Sequence, residues 1–133
     1  MGAVKGIHHV CLRANGIDEF EKTVSFYKDI LGLSVAKEWS RSAEDKAVML
    51  DTGAGLVEIF SNASEVLGMG AWRHMALNVV DVDSVVFAVR AAGYKITTEP
   101  MDIVIPSEPP CPARIAFCVG PLGEEIELFE RKS

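Results

Sequence analysis

Two histidines and two glutamates recur at matching places in this chain. His9, in Ile7-His8-His9-Val10-Cys11-Leu12-Arg13, is echoed by His74, in Trp72-Arg73-His74-Met75-Ala76-Leu77-Asn78-Val79. Glu58, in Leu56-Val57-Glu58-Ile59-Phe60, is echoed by Glu127, in Glu125-Ile126-Glu127-Leu128-Phe129. All of these stretches read as β-strands, whose side chains alternate between the two faces of a sheet. Each glutamate has apolar neighbours on both sides, so alternation turns it away from the face they bury, and the same parity puts each histidine on a cavity side. A carboxylate in an otherwise apolar strand is costly unless water, a cation or a metal meets it. Two imidazoles and two carboxylates converging from equivalent positions would make a mixed nitrogen and oxygen site for a divalent first-row metal, with positions open to water or substrate. The donor set does not choose among nickel, cobalt, zinc, manganese and iron.

The elements that must position these residues repeat as well. Nine residues after each histidine comes an aspartate, Asp18 and Asp83, followed by a helical pattern that ends near a glycine, Gly32 and Gly93. A first strand is expected over about Ile7 to Ala14, closed by the turn Asn15-Gly16. Asp18 is expected to cap the first helix, with Glu21 completing a capping-box-like pair and Phe20, Val24, Tyr27 and Leu31 forming its apolar stripe. Strands are expected over Ser34 to Trp39, Lys46 to Leu50 and Gly55 to Phe60. Residues 63–71, with Gly68-Met69-Gly70, read as a connector. A second round follows: a strand from His74 to Val80, a helix opening at Asp81 or Asp83 with Val82, Val85, Val86 and Val89 on one face, a strand from Tyr94 to Thr98, and the short run Ile103-Val104-Ile105. Pro106 to Pro112 is expected to be a loop, because its four prolines remove ladder donors. Arg114 to Val119 and Glu124 to Glu130 then pair as a hairpin across Gly120-Pro121-Leu122-Gly123. The assembly predicted is an α+β fold, two tandem β-α-β-β-β modules over about residues 5–62 and 71–131 of a single domain, 1–133, forming a curved mixed sheet.

Composition bounds what such a fold can do. The chain has 133 residues, 49% hydrophobic and 24% charged, enough to bury a real core. Its net charge of −6 and the absence of any Lys or Arg run argue against nucleic acid as a partner. Met1 to Gly6 lacks the charged segment and long apolar core of a signal peptide, and no stretch approaches the roughly 18 apolar residues of a membrane span. Three cysteines, Cys11, Cys111 and Cys118, show no C-x-x-C spacing and suit reduced thiols, so a cytoplasmic setting away from any membrane is expected. By parity His8 falls on the face opposite His9, as a structural or surface residue, and Cys11 shares the face of His9.

Several stretches together resemble the vicinal oxygen chelate superfamily, the glyoxalase, bleomycin-resistance protein and dioxygenase family. They are His9-Val10-Cys11-Leu12-Arg13, Phe26-Tyr27-Lys28-Asp29-Ile30-Leu31-Gly32-Leu33, Val57-Glu58-Ile59-Phe60-Ser61-Asn62, Arg73-His74-Met75-Ala76-Leu77 and Gly120-Pro121-Leu122-Gly123-Glu124-Glu125-Ile126-Glu127-Leu128. The resemblance covers nearly the whole chain. It implies paired modules around one metal held by His9, Glu58, His74 and Glu127, in a homodimer whose two chains commonly share the ligands. A glutamate at position 58 resembles glyoxalase I (lactoylglutathione lyase) more than methylmalonyl-CoA epimerase, which carries glutamine there, or ring-cleaving dioxygenases and fosfomycin-modifying enzymes, which use two histidines and one glutamate. Arg13 and Asn62 match residues that in glyoxalase I hold the carboxylates of glutathione. The loop Ser107-Glu108-Pro109-Pro110-Cys111-Pro112 and the turn Gly120-Pro121-Leu122-Gly123 depart from the glutathione-using pattern.

The activity this implies is a metal-dependent carbon-sulfur lyase or isomerase of the glyoxalase I type. It would move a proton on a metal-chelated hemithioacetal or α-oxo substrate through an enediolate, with Glu127 as the base and Glu58 serving the opposite face. Two other readings stay open: a non-catalytic binder of small ligands like the bleomycin-resistance proteins, and another enzyme of the superfamily, an epimerase acting on methylmalonyl-CoA or a ring-cleaving dioxygenase.

Overall fold

Strand alternation in the sequence is realised as two mixed sheets of four strands each. A computed structural model describes residues 2–3, 6–65, 67, 70 and 72–132. The module starts expected at residues 5 and 71, and connector positions 66, 68, 69 and 71, lie outside the described residues. The chain divides into two compact units, Met1–Leu67 and Gly68–Ser133. No helix among the described residues is long and apolar enough to cross a membrane, and all three cysteines are free thiols.

In the first unit the order is β1 (His9–Arg13), α1 (Ile17–Ser25), a π-helical turn (Phe26–Ile30), β2 (Ser34–Ser40), β3 (Lys46–Asp51) and β4 (Leu56–Phe60). The sheet runs β1-β4-β3-β2, with β1 parallel to β4 and the other pairs antiparallel. Helix α1 packs on β4. Val57 and Ile59 of β4, with Phe20, Phe26, Tyr27, Val48 and Leu50, are buried there as the core, each such side chain being worth about 1.5–3 kcal/mol.

The ends of α1 differ from expectation. Gly16, at φ +91°, turns the chain so sharply that the helix opens at Ile17, and Asp18 is already helical and cannot cap. Its carboxylate instead complements the helix dipole in the first turn, and Glu19 rather than Glu21 reaches back, accepting from the Asn15 N–H at 2.9 Å. At the other end the Leu31 N–H donates to the Phe26 carbonyl, five residues back, at 3.1 Å. That wider turn lets two adjacent rings, Phe26 and Tyr27, both face inward, edge to face with centroids 5.0 Å apart.

In the second unit the order is β5 (Met75–Asn78), α2 (Val82–Ala91), β6 (Ile96–Ile105), β7 (Cys111–Val119) and β8 (Glu125–Arg131). The sheet runs β5-β8-β7-β6, again with the first pair parallel. Asp81 caps α2, its Oδ1 accepting from the Asp83 N–H at 3.2 Å. Val82, Val86 and Val89 are buried and Val85 is half-buried, as the stripe predicts. The runs expected at 94–98 and 103–105 are one ten-residue edge strand, β6, which passes through Pro100; register shifts against β7 on either side of Thr98 absorb the missing donor. The proline loop is also shorter than expected. Cys111 and Pro112 already belong to β7, where Pro112 pairs with Val104 and its carbonyl accepts from the Lys132 N–H at 3.1 Å. A proline is tolerated at the start of a strand, where one absent N–H breaks no inner ladder bond.

Candidate functional site

Register positions the first pair. Parallel pairing sets Cys11 of β1 level with Glu58 of β4, and antiparallel pairing sets Met49 of β3 on the other side of it. His9 lies two residues before Cys11 and so on the same face. Its Nε2 stands 3.5 Å from Glu58 Oε1. The Glu58 residue is only 8% exposed, so its carboxyl group is held against the His9 imidazole rather than water. Burial, then the charge of Glu58, push the Cys11 thiol up from its ordinary value, and its Sγ donates to the Leu12 carbonyl at 3.8 Å.

The second unit repeats this arrangement. Ala76 of β5 is level with Glu127 of β8, and Phe117 of β7 is on its other side. His74 lies two residues before Ala76, just ahead of the strand, and its Nε2 is 3.2 Å from Glu127 Oε1. The Phe117 ring meets the imidazole edge to face, with centroids 5.4 Å apart. In both units, then, a histidine two positions before the residue opposite a glutamate turns Nε2 toward that glutamate's Oε1.

These separations suit a shared cation. An N–H···O bond spans about 2.7–3.2 Å, so 3.5 Å between His9 and Glu58 is too long for one and 3.2 Å between His74 and Glu127 lies at its upper end. Two donors on adjacent positions of one ion, each about 2.1 Å from it, stand roughly 3 Å apart. The donor types fit as well, since imidazole nitrogen with carboxylate oxygen accommodates divalent first-row metals. The structure brings the four predicted ligands together as two pairs, His9 with Glu58 and His74 with Glu127. Among the described residues no three or more His, Cys, Asp or Glu side chains gather on one point.

Arg13 and Asn62 do meet. The Arg13 Nε donates to Asn62 Oδ1 at 3.1 Å and its Nη2 to the Asn62 carbonyl at 3.3 Å, fixing a cation at the end of β1, on the same face as His9 and Cys11. Four residues beyond His74 and Glu127 the second unit carries Asn78 and Arg131, the same two residue types in reverse order. The repeat of the sequence holds that signal, which comparison of the four ligands alone passes over.

His8 immediately precedes β1, as His74 immediately precedes β5, and is exposed, as a surface residue; its Nδ1 lies 2.9 Å from His9 Nδ1, the rings edge to face with centroids 5.2 Å apart.

A family model, the Glyoxalase/Bleomycin resistance protein/Dioxygenase superfamily, matches residues 6–107. A lactoylglutathione lyase of Haemophilus influenzae is 30% identical over 135 residues, covering 96% of this chain and 93% of that protein. Among solved structures, SMU.1112c has a TM-score of 0.74 at 27% identity, covering 96% of this chain and 99% of the other. The fosfomycin resistance protein FosX of Listeria monocytogenes, complexed with manganese(II) and sulfate, has a TM-score of 0.70 at 14% identity, covering 96% of this chain and 93% of the other, a likeness of fold.

Proposed function

Because the chain belongs to the Glyoxalase/Bleomycin resistance protein/Dioxygenase superfamily, we propose that it is a metal-dependent lyase or isomerase of the glyoxalase I type, acting on a hemithioacetal or related α-oxo compound. His9, Glu58, His74 and Glu127 would hold one divalent cation in the assembled protein, for which a homodimer is the assembly we infer. What carries this reading is the recurrence, at equivalent register positions of both units, of an imidazole Nε2 facing a carboxylate oxygen at 3.5 and 3.2 Å. The manganese(II) of the FosX complex is a precedent for a divalent cation on this fold.

When bound, such an ion supplies Lewis acidity to two neighbouring substrate oxygens and so makes the C–H beside them removable. The protein's own residues do the rest. Glu58 is buried, level with Cys11 on one side and Met49 on the other, which hold it in place. Glu127 sits between Ala76 and Phe117, with His74 Nε2 3.2 Å from its Oε1, and it is the carboxylate we assign to take the proton and return it to the adjacent carbon. Arg13, hydrogen-bonded to Asn62, would receive a carboxylate of the substrate or its thiol.

Deuterium incorporation tests the reading. Protein loaded in turn with nickel, cobalt, zinc, manganese and iron is incubated in heavy water with hemithioacetals of glutathione, hemithioacetals of other thiols, and methylmalonyl-CoA. Exchange into a hemithioacetal is the expected result. Protein that takes up no metal by elemental analysis and exchanges none of these substrates is a ligand binder, and the proposal is then wrong.

A further inference from the structure

We propose that Arg131 and Asn78 form a receptor for a carboxylate on the second unit, taking the far end of an apolar arm of the ligand. The inference rests on the functional reading above for the reaction of that ligand, and on register for the receptor. In the first unit Arg13 of β1 is level with Phe60 of β4, and Asn62 lies two residues beyond that phenylalanine. In the second unit Asn78 of β5 is level with Phe129 of β8, and Arg131 lies two residues beyond. The two residue types have exchanged places while the spacing is kept. In the first unit they bond to each other; in the second neither side chain has a hydrogen bond or ion pair to another described residue.

Alternation puts Arg131 on the face of Glu127. Its neighbour Glu130 turns the other way, toward α2, where its Oε1 accepts from the Val82 N–H at 2.9 Å and its Oε2 from the Lys132 Nζ at 2.7 Å. Both oxygens of that carboxylate are thus engaged away from Arg131. Arg90 and Arg114 of the same unit are gripped by carboxylates, but the register neighbours of Arg131 on its own face are Phe129, Ala113 and, beyond Ala113, Ile103, none of them an acid. An exposed guanidinium edge offers parallel N–H donors that match a planar carboxylate, and the Asn78 amide supplies a further N–H. One cation, with Glu127 on the same face, balances a monoanion better than a phosphate. At about 3.3 Å per residue, Arg131 stands about 13 Å along β8 from Glu127. Phe129, level with Ile115, lies between them, so the carboxylate is carried across an apolar strip, several bonds from the carbon beside Glu127.

Anion titrations of the full-length, metal-free protein, followed by NMR of the arginine Nε–H and asparagine amide signals, decide the matter. The probes are hexanoate, acetate, neutral hexanamide and inorganic phosphate at constant ionic strength. Arg73, also exposed and with no described partner, is the internal reference for unspecific ion pairing. Hexanoate is expected to shift Arg131 and Asn78 saturably, with one midpoint, over a range in which Arg73 drifts linearly. It should bind about tenfold more tightly than acetate, the gain from covering roughly two methylenes, and hexanamide should move neither signal. Arg131→Ala should abolish the saturable shift of Asn78 with the circular dichroism spectrum unchanged, and Arg131→Lys, which keeps the charge without the planar fork, should restore only part of it. A shift at Arg131 that merely follows Arg73, an Asn78 shift that survives Arg131→Ala, or tighter binding of phosphate than of hexanoate overturns the proposal. Deuterium exchange into hemithioacetals on metal-loaded protein reports separately on the functional reading. Saturable hexanoate binding without exchange keeps the receptor and discards the lyase; exchange without hexanoate binding at Arg131 discards the receptor alone.

Discussion

Glu58 and Glu127 are placed alike but furnished differently, and the difference predicts separate phenotypes. Glu127→Gln keeps a side chain of the same shape beside His74 yet removes the proton acceptor, so proton exchange should fall by about 10²–10⁴-fold with the circular dichroism spectrum unchanged. Unchanged turnover would remove Glu127 from the mechanism. Glu58→Gln should lose metal before it loses anything else. Asp83 supports a prediction independent of any metal. Arg114 grips it with Nε at 2.7 Å and Nη2 at 3.0 Å while Nη1 reaches Asp102 at 3.1 Å, and the guanidinium hydrogen bond holds the Asp83 carboxyl below its ordinary 3.8. A carboxylate depressed in the folded state adds stability that is present above the ordinary value and disappears as pH falls through the folded one. Asp83→Asn should therefore lower stability near about pH 7 and make little difference near about pH 2, as urea melts across that range would show; an equal deficit at both ends would refute the role of this ion pair. The facing of the four proposed ligands could be read from strand alternation because each glutamate sits among residues that must be buried. The contact of His8 with His9 could not, because it depends on where the β1–β4 ladder begins, and nothing local in Ile7-His8-His9 marks that boundary.

Elements were legible wherever a local rule decides them. The valine stripe and Asp81 cap of α2 follow from spacing and a side-chain oxygen at the right place. The start of α1 does not, because Gly16 outcompetes Asp18 through a backbone conformation rather than a side chain. Nor do Pro100 and Pro112 announce that they lie within strands: β6 is an edge strand with shifted register and β7 begins just before Pro112, and both conditions depend on which strand lies alongside. The core under the glutamates was predicted by the same alternation that turned them to the other face of the sheet. Leu128 of β8 is fully buried beside Glu127, so Leu128→Ala should cost about 2–5 kcal/mol in unfolding free energy. It should also loosen the strand that carries Glu127, so that proton exchange falls further than the folded fraction does. A cost below about 1 kcal/mol would mean that this face of β8 is not the core.

At the scale of the whole molecule, a cation held by the folded state must show itself in stability. Each unit has its own sheet and its own buried core. A cation taken by the folded state alone stabilises it by about 2.7 kcal/mol at one hundred times its dissociation constant. Chelator-treated protein should therefore melt at a lower temperature than metal-loaded protein. The pattern among variants separates one shared ion from two independent ones. If His9, Glu58, His74 and Glu127 hold the same ion, His9→Ala and His74→Ala should each erase nearly the whole metal-dependent rise in Tm, and the double variant should lose no more than either alone, since coupled groups are not additive. If each pair binds a cation of its own, every single substitution leaves about half of the rise and the effects add. Additive losses would break the quartet into two minor sites, and with it the case for a single reacting centre.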